Sequence, residues 1–180
     1  MMLARIVRIA VVVAILGLVV TLGLAFRRDP HDIRTGTIGK PAPAFTLERL
    51  DGSGKVALAD LSGKVVVMNF FASWCLPCTQ ENPALVRVYE RYRASDVVML
   101  GVNYQESRDN GLAYVQRMGM GWTTVADDDG RVAFSYGVFG PPETFFIGSD
   151  GIIAGRHIGP IDEETLVTAI EKLRGQAASR

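Results

Sequence analysis

Trp74-Cys75-Leu76-Pro77-Cys78 holds the only two cysteines of the 180-residue chain. Two residues between the thiols let one helical turn bring both sulfurs within bonding distance. A C-x-x-C pair between a buried strand and a helix is the layout of a thiol-disulfide redox centre. A cysteine at a helix N-terminus faces the positive end of the macrodipole and free backbone N–H groups, so its thiolate is stabilised and its pKa falls. Cys75 is therefore the candidate nucleophile, and Cys78, one turn inside, is the candidate resolving thiol. Two other chemistries compete for the pair. Zinc normally takes four ligands, and the chain adds only His31 and His157, so no metal is expected. A purely structural bridge across so short a loop would remove little unfolded-chain entropy.

The elements around the pair must hold it at a strand-to-helix junction. Val65-Val66-Val67-Met68-Asn69-Phe70-Phe71 is a near-continuous apolar run, which predicts a strand covered on both faces, as in a sheet with helices on each side. After Cys78, Leu85, Val88, Tyr89 and Tyr92 fall on one helical face, with Arg87, Glu90 and Arg91 on the others. Pro83 lies inside this helix and predicts a kink, because its ring removes the hydrogen bond to the Thr79 carbonyl. A strand over 45–47 and a turn at 51–54 precede the pair. A second buried strand is expected over 97–103, a helix over 108–118, a short strand over 122–125 and a short helix over 131–136. Strands over 144–147 and 152–157 flank the turn Ser149-Asp150-Gly151, a hairpin signal. The last helix starts with Asp162 as N-cap and Glu163 and Glu164 in its first turn, and Gly175 is read as its stop. The order β-α-β-α then β-β-α predicts an α/β fold whose sheet carries an antiparallel edge.

Apolar content of 48% over this length suits one compact domain with an appended segment. Formal net charge is zero, which gives no signal for a nucleic-acid or polyanion partner and leaves a monomer as the default. Residues 9–26 carry no charge and are flanked by Arg5 and Arg8 on one side and Arg27 and Arg28 on the other. With Ile6 and Val7 the stretch reaches the roughly twenty residues a membrane-spanning helix needs. It is read as a single anchor, with residues 1–8 on the cytoplasmic side. The alternative is a cleaved signal peptide, since Gly23-Leu24-Ala25 supplies small residues, but the apolar stretch is long for that role. Residues 27–43, with Pro30, Gly36, Gly39, Pro41 and Pro43, suit an extended linker, 44–174 form the folded domain and 175–180 a tail.

Trp74-Cys75-Leu76-Pro77-Cys78 with Pro83 five beyond resembles thioredoxin. Gly101-Val102-Asn103-Tyr104, Gly137-Val138-Phe139-Gly140-Pro141-Pro142-Glu143-Thr144-Phe145 and Asp150-Gly151-Ile152-Ile153 resemble the DsbE/CcmG family, the membrane-anchored thioredoxin-like oxidoreductases of cytochrome c maturation. The resemblance spans about residues 38–173. It implies a thioredoxin-like fold with one N-terminal transmembrane helix and a catalytic domain in the periplasm, held at the inner membrane. The implied activity is reduction of disulfides at the C-x-x-C-H haem sites of apocytochrome c, or of another maturation thiol protein. Haem attachment needs free thiols in an oxidising compartment, so a dedicated reductant is chemically sensible. No cofactor motif is present, so electrons would come from a membrane donor of the DsbD/CcdA type.

Residue by residue, Pro142 matches the cis-proline that faces the disulfide in this fold, and Trp74 is expected to pack beside the sulfurs. Pro141, at the position that pairs with bound peptide, has no N–H, so only its carbonyl can pair. Glu81 and Glu143 match acidic positions lining the family's active site. A buried carboxylate holds a raised pKa and can exchange a proton with Cys78, and its charge raises a nearby thiol pKa. Thioredoxin carries a buried aspartate six residues before its first cysteine. Asn69 stands there in this chain and cannot titrate, which shifts the shuttle role to Glu81. An apocytochrome c reductase is favoured over a non-catalytic apocytochrome-binding module, a general periplasmic disulfide reductase, an oxidant or a peroxidase. The acidic neighbours argue against the oxidant, since nearby negative charge disfavours the thiolate.

Overall fold

Every residue of Val65–Phe71 is buried in the computed structural model, as a strand covered on both faces requires. The structure describes residues 36–178, together with 5, 6, 8 and 11–17. In chain order the elements of the domain are β1 (Thr46–Glu48), β2 (Lys55–Ala57), β3 (Val65–Phe71), α1 (Leu76–Tyr92), β4 (Val97–Tyr104) and α2 (Arg108–Arg117). They continue with β5 (Thr123–Asp127), α3 (Arg131–Tyr136), β6 (Glu143–Ile147), β7 (Ile153–Ile158) and α4 (Glu163–Ala178). The main sheet has the order β5-β4-β3-β6-β7. β3 pairs parallel with β4 and β4 with β5, whereas β6 and β7 run antiparallel, so the expected antiparallel edge is present.

β3 alternates its side chains between two cores. Val65, Val67 and Phe71 pack with Leu85 and Val88 of α1 and Leu166 and Ile170 of α4. Val66, Met68 and Phe70 pack on the other face with Val132, Tyr136 and Phe145. Asn69 is the polar member of the first set, on the face that α1 covers. The thiol-bearing loop leaves the C-terminal end of β3, and the register Phe70↔Glu143 brings the start of β6 to that same end.

Several boundaries differ from the sequence expectation. β2 was not anticipated; it pairs with β1 in a separate two-stranded sheet, Leu47 opposite Val56. The expected linker 27–43 ends earlier. Gly39 donates to the Ile153 carbonyl at 2.8 Å, Ala42 to the Gly151 carbonyl at 2.9 Å, and Ile153 to the Lys40 carbonyl at 3.0 Å. An edge strand exposes unpaired backbone groups, and this segment satisfies them at the start of β7. Gly175 does not stop α4, which runs to Ala178. Gln176, Ala177 and Ala178 are good helix formers, and one interior glycine costs only about 1 kcal/mol against alanine. α1 runs through Pro83 to Tyr92, as the sequence reading expected.

Residues 1–33 form a unit separate from 34–180. In it, positions 5, 6, 8 and 11–17 are helical with exposed side chains. The other positions of the expected anchor 9–26, and the linker as far as residue 35, lie outside the described residues. No helix among the described residues is long and apolar enough to cross a membrane.

Candidate active site

Cys75 is the N-cap of α1 and is bonded to Cys78 in a disulfide, with Cα atoms 5.3 Å apart. The Cys78 backbone N–H donates to Cys75 Sγ at 3.1 Å, so this sulfur occupies the place where a capping side chain meets the free donors of the first turn. Pro77 sits in that first turn, where its missing N–H is no loss. Exposure hardly separates the two cysteine residues, at 4% for Cys75 and 2% for Cys78. Their positions at the helix end separate them, since only Cys75 is aligned with the donors that stabilise a thiolate.

Glu81 lies one turn past Cys78 on the face of α1 that meets the sheet, and it is 3% exposed. Asn69 Nδ2 donates to its Oε1 at 2.8 Å, and the Ile161 backbone N–H donates to its Oε2 at 2.9 Å. Burial pushes the carboxyl up to about 7, against these two hydrogen bonds, which favour the charged form. Asn69 Nδ2 also donates to Thr144 Oγ1 at 3.0 Å. A cleft of about 420 Å³, lined by Gln80, Glu81, Pro83, Arg87, Pro160 and Ile161, opens beside the carboxyl and gives it a route to solvent.

Glu143 is fully buried, and its placement differs in kind from that of Glu81. Arg156 Nε donates to its Oε2 at 2.7 Å, Arg156 Nη2 donates to the same oxygen, and the Phe139 N–H donates to its Oε1 at 2.8 Å. Arg156 Nη2 also donates to the Gly137 carbonyl at 2.8 Å, and the guanidinium lies over the Phe139 ring at 5.4 Å. The acid is therefore the anchor of the 137–143 loop, which contains the cis Pro141-Pro142 bond. Arg156 escaped the sequence reading because its partner lies across a strand pair. Only the alternation of β7 around a buried neighbour could have pointed to it.

Trp74, immediately before Cys75, stands at the surface, 61% exposed. Leu76, which follows Cys75 at the start of α1, and Phe139, in the 137–143 loop, are exposed too. Pro142 is buried and its carbonyl accepts from the Gly159 N–H at 2.9 Å, while Pro141 is half-buried. Sequence reasoning also passed over Glu106, whose carboxylate accepts hydrogen bonds from the loop before Cys75.

Comparison with known proteins agrees with this geometry. The chain matches the AhpC/TSA family over residues 38–156. It is 36% identical over 136 residues to the thiol:disulfide interchange protein DsbE of Pseudomonas fluorescens, covering 75% of this chain and 74% of that protein. The DsbE protein of Escherichia coli is 34% identical over 157 residues, with 83% of each chain covered. The thiol:disulfide interchange protein HelX of Rhodobacter capsulatus is 34% identical over 149 residues, with 82% of each covered. Among solved structures, a thioredoxin-family thiol:disulfide interchange protein of Chlorobium tepidum superposes with a TM-score of 0.67 at 28% identity, covering 74% of this chain and 94% of that one.

Proposed function

Because the chain belongs to the AhpC/TSA family and is a thioredoxin-like thiol:disulfide oxidoreductase of the DsbE type, we propose that it serves as a reductant in cytochrome c maturation. Its substrate in this reading is the disulfide at the haem-attachment cysteines of apocytochrome c, or a mixed disulfide on a second maturation protein. Residues 9–26 anchor it in the inner membrane with the domain in the periplasm, and a membrane donor of the DsbD/CcdA type returns it to the dithiol. The observation that carries the reading is the capped Cys75, joined to Cys78 and followed one turn later by a buried glutamate.

The reaction begins from the reduced pair. The Cys75 thiolate attacks one sulfur of the substrate disulfide, forming a mixed disulfide and releasing the other substrate sulfur as a thiolate. The Cys78 thiol passes its proton to the Glu81 carboxylate, and the new thiolate attacks Cys75 Sγ. The Cys75–Cys78 disulfide forms, the second substrate thiolate leaves, and two electrons have moved to the substrate. Glu81 exchanges its proton with water through the adjoining cleft. Glu143 holds the loop that presents Pro141 and Pro142 to the substrate chain, and the Pro141 carbonyl is an acceptor for a substrate N–H. Trp74 contributes apolar contact beside the nucleophile.

The test is the reduction potential of the pair in the full chain, equilibrated against glutathione and dithiothreitol buffers. A value near that of thioredoxin, about −270 mV, or modestly above it supports a reductant. A value near that of the strong periplasmic oxidants, about −120 mV, means that the protein makes disulfides, and the cytochrome assignment falls.

A further inference from the structure

Gly101-Val102-Asn103-Tyr104 and the turn behind it take no part in the chemistry described so far, yet they end in a polar cluster aimed at the redox loop. Asn103 is 1% exposed, and its Nδ2 donates to Glu106 Oε1. Glu106 reaches the loop between β3 and α1, where the Ser73 N–H donates to Oε1 at 2.7 Å and the Ser73 hydroxyl donates to Oε2 at 2.5 Å. Among the described residues no hydrogen-bond partner meets the buried Asn103 Oδ1, and Glu106 is the partner that orients this amide through Nδ2.

The backbone is shaped around these contacts. Gln105, immediately before Glu106, has φ +47° and is the one non-glycine residue with positive φ among the described residues. That conformation is strained for an L-residue, so the fold must hold it in place. Two glycines make room: a Cβ at Gly130 would overlap the Gln105 side chain, and a Cβ at Gly111 would overlap the Asn103 amide. A left-handed residue and two clearances thus converge on Ser73, two positions before the nucleophile.

We propose that Glu106 is a positioning residue of the redox centre: its carboxylate grips Ser73, thereby fixes Trp74 and Cys75 at the end of β3, and places a negative charge beside the nucleophile's loop. The inference rests on thiol-disulfide exchange at Cys75 and is independent of which protein is reduced. A negative charge near a thiolate disfavours it and so disfavours the dithiol relative to the disulfide. Glu106 therefore makes the pair more reducing.

Two variants separate the grip from the charge. Glu106→Gln keeps Oε1 as acceptor and turns an N–H toward the Ser73 hydroxyl, which can accept it, so the grip survives and the charge is lost. Glu106→Ala loses both. The readouts, on the full chain, are the Cys75 pKa from thiolate absorbance, the potential against glutathione, and the rate of attack on glutathione disulfide with the thiolate fully formed. For Glu106→Gln the expected result is a Cys75 pKa lower by about half a unit to one unit, a more positive potential and a near-wild-type attack rate. For Glu106→Ala the same pKa shift is expected with attack roughly tenfold slower, because the sulfur is no longer held on its line of approach. Wild-type pKa and potential in Glu106→Gln overturn the proposal whatever Glu106→Ala does, and Glu106→Gln remains informative if Glu106→Ala fails to fold. All three readouts are thiol chemistry with a small disulfide, so they stand or fall separately from apocytochrome c as the substrate.

Discussion

Glu81 sits where two requirements conflict. The carboxyl is buried against the sheet, which disfavours its charge, yet Asn69 and the Ile161 amide both donate to it, which favours that charge. Burial wins in part and leaves the group titrating at about 7, the range in which a side chain both accepts and returns a proton readily. Glu81→Gln removes the base without emptying the site. Resolution of a mixed disulfide at Cys75 by Cys78 should then slow by about 10²-fold, and the rise in rate through pH 7 should disappear. Stopped-flow fluorescence on a preformed mixed disulfide measures this directly. A Glu81→Gln rate within about twofold of wild type, with an unchanged Cys75 pKa, would rule out the shuttle, because a positioned base is worth far more than that.

At the scale of elements, the loop 137–143 is held to β7 by a charge pair, in which Glu143 is fully buried and Arg156 is 2% exposed at its side chain. Removing one member of such a pair leaves an uncompensated charge in a dry place. Glu143→Ala should therefore destabilise the domain by about 3–5 kcal/mol, and the double change Glu143→Met with Arg156→Met should recover much of that loss. Denaturant unfolding of the two variants decides it: equal stability would mean that the pair is not desolvated. This contact also shows what a sequence can reveal. β3 and α3 were legible to the residue because an apolar run and a helix closed by Gly137 carry their own local signals. The Cys75-Cys78 spacing was legible for the same reason, whereas Glu81 was reached through the family resemblance, and the helix period only placed it one turn past Cys78. Arg156 with Glu143, and Glu106 with Ser73, join positions 13 and 33 residues apart, and no local pattern records such a pairing. β2 was missed because three residues, Lys55–Ala57, are too few to show a period. Gly175 misled because a glycine ends a helix only where the residues beyond it cannot continue the helix, and Gln176, Ala177 and Ala178 can.

For the molecule as a whole, the sheet divides two apolar cores, and Glu81 with Asn69 interrupts the one that carries the disulfide. That interruption sets the sign of the pH dependence of stability. Glu81 titrates at about 7 folded and at its ordinary value of 4.5 unfolded, so the folded state holds a proton through that interval that the unfolded chain has released. Its contribution is fully present below pH 4.5 and is lost as pH rises through 7. Asp127, also pushed up by burial against its bonds to the Ala133 and Val132 amides, acts with the same sign. Comparison with Glu81→Gln cancels Asp127 and isolates Glu81. The unfolding free energy of the wild type should fall relative to the variant by about 2–3 kcal/mol between pH 4.5 and pH 8. The slope is diagnostic and the absolute offset is not, because glutamine turns an N–H toward one of the two donors that glutamate satisfies. Urea unfolding of the oxidised chain at several pH values gives both curves. Parallel curves would mean that Glu81 titrates at its ordinary value, and the proton that Cys78 is to surrender would need another acceptor.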